Sequence, residues 1–318
     1  VRNLKTYFYT DEGMVLAVDD VNLNICRGET LGLVGESGCG KTTLALSIMG
    51  LISPPGKIVG GNILFDGVDL LKINEDKMNE IRGNKISMIF QDPMNSLNPV
   101  FKIGDQVIET ILRHQEVSKA EAKEHTMELI EKVGIADAQK RYSHYPHEFS
   151  GGMRQRIMIA MGLSCEPNLI IADEPTTSLD VTVQAQILEL MKALIKEFKS
   201  SILLVTHDLG VIAEMSNKVA VMYAGKIVEY GNTISIFTKP KHPYTKALLG
   251  SIPRPEIRRG ELEVIRGSVP SLINPPTGCR FYPRCKYALE LCSEHVPESI
   301  EIEPNHIVAC LRAKEELF

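Results

Sequence analysis

From Val1 to about residue 235, short runs of apolar residues alternate with longer stretches in which apolar positions recur every three or four residues. The short runs Thr30 to Val34, Lys85 to Phe90, Leu169 to Ala172, Ile202 to Thr206 and Val219 to Tyr223 are rich in β-branched residues and predict buried strands. Period-two alternation in Asn3 to Tyr9, Val21 to Ile25 and Asn62 to Phe65 predicts an antiparallel part near the start. Between Gly104 and Phe149 the chain turns to Ala, Glu and Lys at helical spacing, as in Ala120 to Val133, which predicts an inserted helical subdomain over about 92–165. Alternation of this kind is α/β architecture.

Beyond Lys239 the pattern breaks. Ten of the 17 prolines lie between Pro240 and Pro304, and runs such as Ser251-Ile-Pro-Arg-Pro and Asn274-Pro-Pro-Thr-Gly exclude long helices and central strands. The expected division is 1–238 as one large domain and 239–318 as a separate, irregular module.

Composition adds exclusions. Lys and Arg number 35 against 40 Asp and Glu, so a basic face for nucleic acid is not expected. The longest apolar runs, such as Ile157 to Leu163, stop at seven residues, below the roughly 18 needed to span a bilayer. The opening Val1-Arg2-Asn3 shows no basic-then-apolar leader pattern, and the seven cysteines of a 318-residue chain favour a reducing compartment over a disulfide framework.

The chemistry starts at Gly35-Glu-Ser37-Gly38-Cys39-Gly40-Lys41-Thr42-Thr43, a G-x-x-x-x-G-K-T run between a predicted strand and a predicted helix. Its glycines let backbone N–H groups wrap a phosphate, Lys41 brings charge to the β/γ-phosphates, and Thr42 offers a hydroxyl to Mg²⁺. Leu169-Ile-Ile-Ala-Asp173-Glu174 is an apolar strand ending in paired carboxylates. Alternation along a strand would turn them to opposite faces, Asp173 toward Mg²⁺ and Glu174 toward a water as general base.

These motifs, with Ser150-Gly151-Gly152-Met-Arg-Gln, resemble the ATP-binding cassette (ABC) family. The resemblance implies that Ser150, Gly151 and Gly152 are the signature motif facing the ATP of a second subunit in a head-to-tail dimer. It makes Gln91 the Q-loop glutamine contacting Mg²⁺ or water, Ser178-Leu179-Asp180 the D-loop, and His207 the switch histidine beside the γ-phosphate. An aromatic near the first strand would stack on adenine: Phe8, then Tyr9, with Tyr7 also a candidate. The implied fold is a P-loop ABC ATPase core with antiparallel β and helical subdomains.

His242-Pro-Tyr, the proline-rich tail and Asn98-Pro-Val-Phe resemble ATPase subunits of dipeptide, oligopeptide and nickel importers, nearest to the dipeptide-permease kind. That resemblance implies ATP hydrolysis driving peptide import from the cytoplasmic face of the membrane. The implied partners are two transmembrane permease subunits, a paralogous or identical second ATPase and, indirectly, an extracytoplasmic peptide-binding protein. Coupling helices of the permease would dock around Gln91. Cys279, Cys285, Cys292 and Cys310 lack the close C-x2-4-C pair usual for structural zinc. Four thiols on loops suit a [4Fe–4S] cluster, with Zn²⁺ or no metal as alternatives. His295 and His306 are expected at the surface.

Overall fold

The computed structural model describes residues 1–177, 179–251 and 265–313. Ser178 of the D-loop run and most of Ser251-Ile-Pro-Arg-Pro lie outside the described residues. The chain divides into two compact units, one of Val1–Asn24, Thr30–Lys72 and Val205–Phe318, the other of Ile25–Glu29 and Ile73–Leu204. Among the described residues no helix is long and apolar enough to cross a membrane.

In the first unit a three-stranded antiparallel sheet has the order Gly13–Val21, Arg2–Thr10, Gly56–Asn62. Its register sets Leu4 opposite Val21 and Thr6 opposite Val18, and the buried Thr6 hydroxyl lies 2.8 Å from that of Ser47. The predicted strand Val21 to Ile25 is misplaced: the strand runs Gly13–Val21, because Thr10 to Gly13 closes a hairpin whose ladder ends at Val21. Val21 and Leu23 are buried all the same, so alternating burial continued beyond the hydrogen-bonded ladder.

A second sheet holds Thr30–Val34 parallel to Lys218–Tyr223, which pairs antiparallel with Lys226–Asn232. Every residue of Thr30–Val34 is buried, as a near-continuous apolar run requires of a parallel strand. The tail does not stand apart as an irregular Cys-rich module. Its hairpin, Ile300–Glu303 and His306–Val308, continues this sheet, with Glu229 opposite Val308 and Tyr230 opposite Ile307. The hairpin gives the Lys226–Asn232 edge a ladder partner. His306 is therefore buried rather than at the surface, its Nε2 2.7 Å from the equally buried Glu229 carboxylate; His295 is exposed.

In the second unit Ile86–Ile89 and Leu169–Asp173 pair in parallel. The helices Ile103–His114, Lys119–Lys132 and Gly151–Leu163 occupy the region where helical spacing was predicted. Lys119–Lys132 starts at a capping box in which Ser118 and Glu121 satisfy each other's backbone N–H. Ile103–His114 buries Ile103, Val107, Ile108 and Ile111 along one stripe, the pattern of an amphipathic helix.

Candidate functional site

In the first unit the strand Thr30–Val34 runs through the phosphate loop into the helix Lys41–Met49. Gly40, the N-cap, has φ of 105°, and a Cβ there would lie 2.1 Å from the Ala17 carbonyl oxygen, so only glycine fits. The N-cap Gly40 makes no side-chain cap hydrogen bond to this helix, whose N-terminus is the kind of position that favours an anion. Gly35 and Cys39 are buried, while Ser37, Gly38 and Thr42 are exposed and Thr43 is half-buried. The Lys41 side chain is buried, and its Nζ donates to the Gly35 and Glu36 carbonyls at 2.8 and 3.1 Å. Burial pushes the Cys39 thiol up, opposed by the Lys41 ammonium 3.9 Å away, so Cys39 serves as a neutral packing group. His207, also in this unit, lies exposed just past the strand Ser201–Thr206, before Asp208 caps the helix Leu209–Met215.

In the second unit Asp173 is the buried last residue of its strand. Glu174 follows with φ of 47°, in the left-handed region that non-glycine residues rarely adopt. The strand thus ends before the second carboxylate, and a backbone reversal, rather than strand alternation, sets where Glu174 goes. Two donors converge on Glu174 Oε2: Gln91 Nε2 at 2.7 Å and Thr177 Oγ1 at 3.0 Å. The structure therefore joins Gln91 and Glu174, which are 83 residues apart in the chain.

Ser150 is the N-cap of Gly151–Leu163, its Oγ accepting from the Met153 N–H. The glycine pair forms the first turn of that helix rather than preceding it. A Cβ on Gly152 would lie 2.7 Å from Val183 Cγ1, in the helix Val181–Phe198 that Asp180 caps by accepting from the Val183 N–H. Signature and D-loop residues are thereby packed together within this unit.

Among the three aromatics, Tyr7 donates its hydroxyl to Asp19 at 2.8 Å, and the half-buried Phe8 ring packs against Gly56. Tyr9 is 49% exposed. The four tail cysteines line one cavity of about 10 Å³. Burial is the main cause that pushes the thiols of Cys279 and Cys310 up to about 11, with the neighbouring thiols adding to it. Among the described residues no three His, Cys, Asp or Glu are arranged to hold a metal ion. As placed, the four cysteines share a cavity but are not set out as the ligand arrangement expected of a [4Fe–4S] or Zn²⁺ site.

Sequence reasoning missed two residues on the phosphate loop. The helix Pro243–Gly250 begins where His-Pro-Tyr predicts a helix start, its N-cap His242 accepting from the Tyr244 N–H through Nδ1 at 3.0 Å. Burial lowers His242 to about 4, which keeps the imidazole neutral and able to accept. Tyr244 is fully buried, and its hydroxyl accepts from the Glu36 N–H at 3.0 Å. Arg284 grips the Glu36 carboxylate. The only signal was a Tyr and an Arg flanked by proline in an otherwise loop-like tail.

Known proteins resemble this chain along most of its length. The ABC transporter pattern matches residues 18–177, and the pattern of the oligopeptide/dipeptide transporter C-terminal region matches residues 228–292. The probable peptide ABC transporter ATP-binding protein y4tR of Sinorhizobium fredii is 50% identical over 317 residues, covering 99% of this chain and 95% of its own. The oligopeptide transport ATP-binding protein OppD of Escherichia coli is 48% identical, over 100% of this chain and 94% of its own. The dipeptide transport ATP-binding protein DppD of Bacillus subtilis is 50% identical, over 98% and 93%. Among solved structures, the dimeric post-hydrolysis state of the ATP-binding cassette MJ0796 bound to ADP and Pi superposes with a TM-score of 0.66 at 27% identity, covering 73% of this chain and 97% of that one. With a phosphate loop, paired carboxylates and a signature helix, and with relatives about 50% identical along nearly its whole length, this chain belongs to the ABC transporter family, in the group that carries the oligopeptide/dipeptide transporter C-terminal region.

Proposed function

We propose that this chain is the ATP-hydrolysing subunit that powers import of di- and oligopeptides through a membrane ABC permease. The observation that carries this reading is that similarity to peptide-transport ATP-binding proteins runs through both the hydrolytic motifs and the C-terminal region. In it, residues 1–238 are the nucleotide-binding domain, with 92–165 its helical part, and 239–318 are the importer-type extension.

The roles follow from charge. Phosphoryl transfer to water builds negative charge on the γ-phosphoryl oxygens, so Lys41, the N–H groups of Gly35 to Thr43 and His207 stabilise it. Glu174 takes the proton of the attacking water, and Gln91 orients that water. Mg²⁺, when bound, would supply positive charge to offset that of the phosphates. The exposed Thr42 hydroxyl, the buried Asp173 carboxylate and the Gln91 amide are the oxygen donors that a hard cation takes and would hold it. Phe8 or Tyr9 stacks on adenine, and the exposed ring of Tyr9 favours the latter.

Ser150, Gly151, Gly152 and Asp180 complete the site of a second ATPase subunit, identical or paralogous. Support comes from the signature helix, whose capped N-terminus lies at exposed or half-buried residues, and from the dimeric MJ0796 structure. Two transmembrane subunits would dock around Gln91, where Phe90, Met94, Val100 and Phe101 leave large apolar side chains exposed. In this reading the chain works at the cytoplasmic face of the membrane, with a peptide-binding protein on the far side. E174Q with ATP should shift the purified chain, alone or with its paralogue, from monomer to dimer in sedimentation. Rapid hydrolysis by a strict monomer at high dilution would overturn the dimeric site. Copurification of two permease subunits from solubilised membranes tests the transport reading.

The finer reading of the tail is a structural [4Fe–4S] cluster, with Zn²⁺ as its alternative. The shared cavity of Cys279, Cys285, Cys292 and Cys310 favours it, and the lack of a metal-holding arrangement among the described residues opposes it. About four irons per chain after anaerobic purification would establish the cluster. Stoichiometric zinc would establish the alternative, and neither metal would leave the thiols as packing groups.

A further inference from the structure

Glu36 follows Gly35, the first glycine of the phosphate loop, and each of its polar groups is engaged. Its carboxylate receives a forked pair from Arg284, Nη1 to Oε1 at 3.0 Å and Nη2 to Oε2 at 3.1 Å. Its N–H donates to the Tyr244 hydroxyl at 3.0 Å, and its carbonyl accepts from Lys41 Nζ at 3.1 Å. Glu36 is thus the node at which two residues of the C-terminal region, 208 and 248 positions away, meet the lysine of the loop.

Both distant residues are rigidly placed. The Tyr244 ring lies 4.5 Å from that of Tyr223 and 5.4 Å from that of Phe281. The Arg284 side chain is 5% exposed, and its remaining N–H groups donate to the carbonyls of Ile265, Arg266 and Gly267 and to the Tyr223 hydroxyl. In the same turn Arg280 pairs with Asp19 and donates to the Ala224 carbonyl, and the next residue, Gly225, donates its N–H to the Cys39 carbonyl. The segment from Arg280 to Arg284 therefore reaches the phosphate loop along two routes.

A bare carboxylate in a phosphate loop repels a polyanion and competes for the lysine. A forked guanidinium cancels that charge and fixes its direction, which a flexible ammonium does not. We propose that Arg284 is a positioning residue for ATP: by pinning and neutralising Glu36, with Tyr244 fixing the adjacent amide, it leaves the Lys41 charge free for the incoming phosphates. The proposal rests on the ATP-binding role argued above.

The test is equilibrium binding of MgATP to the purified full chain, with melting temperature measured without nucleotide. Arg284→Ala should weaken binding about tenfold, the scale of one uncancelled charge near a polyanion. Arg284→Lys should recover only part of that loss. The double variant E36Q/R284A, in which no carboxylate is left uncancelled, should bind at least about threefold tighter than R284A. Tyr244→Phe keeps the ring packing, deletes the acceptor of the Glu36 N–H, and should cost about threefold, as for one lost hydrogen bond. If R284A binds like the unaltered chain, or if E36Q/R284A binds as weakly as R284A, positioning through Glu36 is overturned and any loss is general loosening. Absence of MgATP binding by the unaltered chain would instead bring down the ATPase reading, and this inference with it.

Discussion

The phosphate loop and the end of the carboxylate strand, to which we have assigned phosphate binding and general-base chemistry, are held in opposite ways. Lys41 and Cys39 are buried, the backbone of Glu36 is bonded through both its N–H and its carbonyl, and the loop leans on residues from the far end of the chain. Glu174 has a left-handed backbone, a half-buried side chain, and hydrogen bonds to Gln91 and Thr177 that other rotamers could exchange. A binding element gains from being built in advance, because ordering it at each encounter would weaken affinity. A general base must release its resting partners when water and the γ-phosphate arrive, so a lightly held, strained position suits it.

If that contrast is right, damage to the two regions separates cleanly. Removing the buried ammonium with Lys41→Ala should weaken MgATP binding by at least about a hundredfold, measured by equilibrium titration. Glu174→Gln should lower turnover of the assembled complex by at least about a hundredfold, while affinity stays within about twofold. Comparable loss of affinity in both variants would erase the distinction. Gly152→Val would drive a branched side chain into Val183, where a Cβ alone already comes to 2.7 Å. It should cut steady-state hydrolysis about tenfold, with nucleotide binding by the lone chain little changed.

The smallest effect concerns the brace itself. The folded chain holds His242 near 4 by burial, below its ordinary 6.5, so the unfolded chain binds the extra proton first as pH falls. The stability that neutral His242 contributes is complete above 6.5 and declines as pH drops toward 4, by up to about 1.4 kcal/mol per pH unit. His242→Asn keeps a cap acceptor and removes the titration. Denaturant melts between pH 4 and 7 should show a shallower acid slope for that variant.

Part of the geometry to which we assign the reaction was legible because it is local. The loop from Gly35 to Thr43 and the strand ending at Asp173 each depend on a few consecutive residues, whereas the left-handed backbone that redirects Glu174 and the caps formed by Ser150 and Asp180 left no mark that was read in the sequence. Apolar runs located Thr30–Val34 and Leu169–Asp173 for the same reason: continuous burial leaves its mark on every residue of a strand. Where burial and pairing part company, the pattern misled. Val21 to Ile25 alternates and is partly buried, yet the ladder lies before it.

What tertiary structure alone decided is which distant groups meet. Amino-acid order pointed to a phosphate loop and to an apolar strand ending in carboxylates, because turn geometry and hydrophobic period act over a few residues, and to a signature motif only through family resemblance. It did not show that a proline-rich tail would add a hairpin to the sheet edge at Lys226–Asn232, that His306 would be buried on Glu229, or that Arg284 and Tyr244 would hold Glu36. Such contacts close chain loops of up to 248 residues, and no local preference encodes their partners. They form because burying a carboxylate or an imidazole demands a hydrogen-bonding partner, and only the folded chain determines which residue is near enough to supply it.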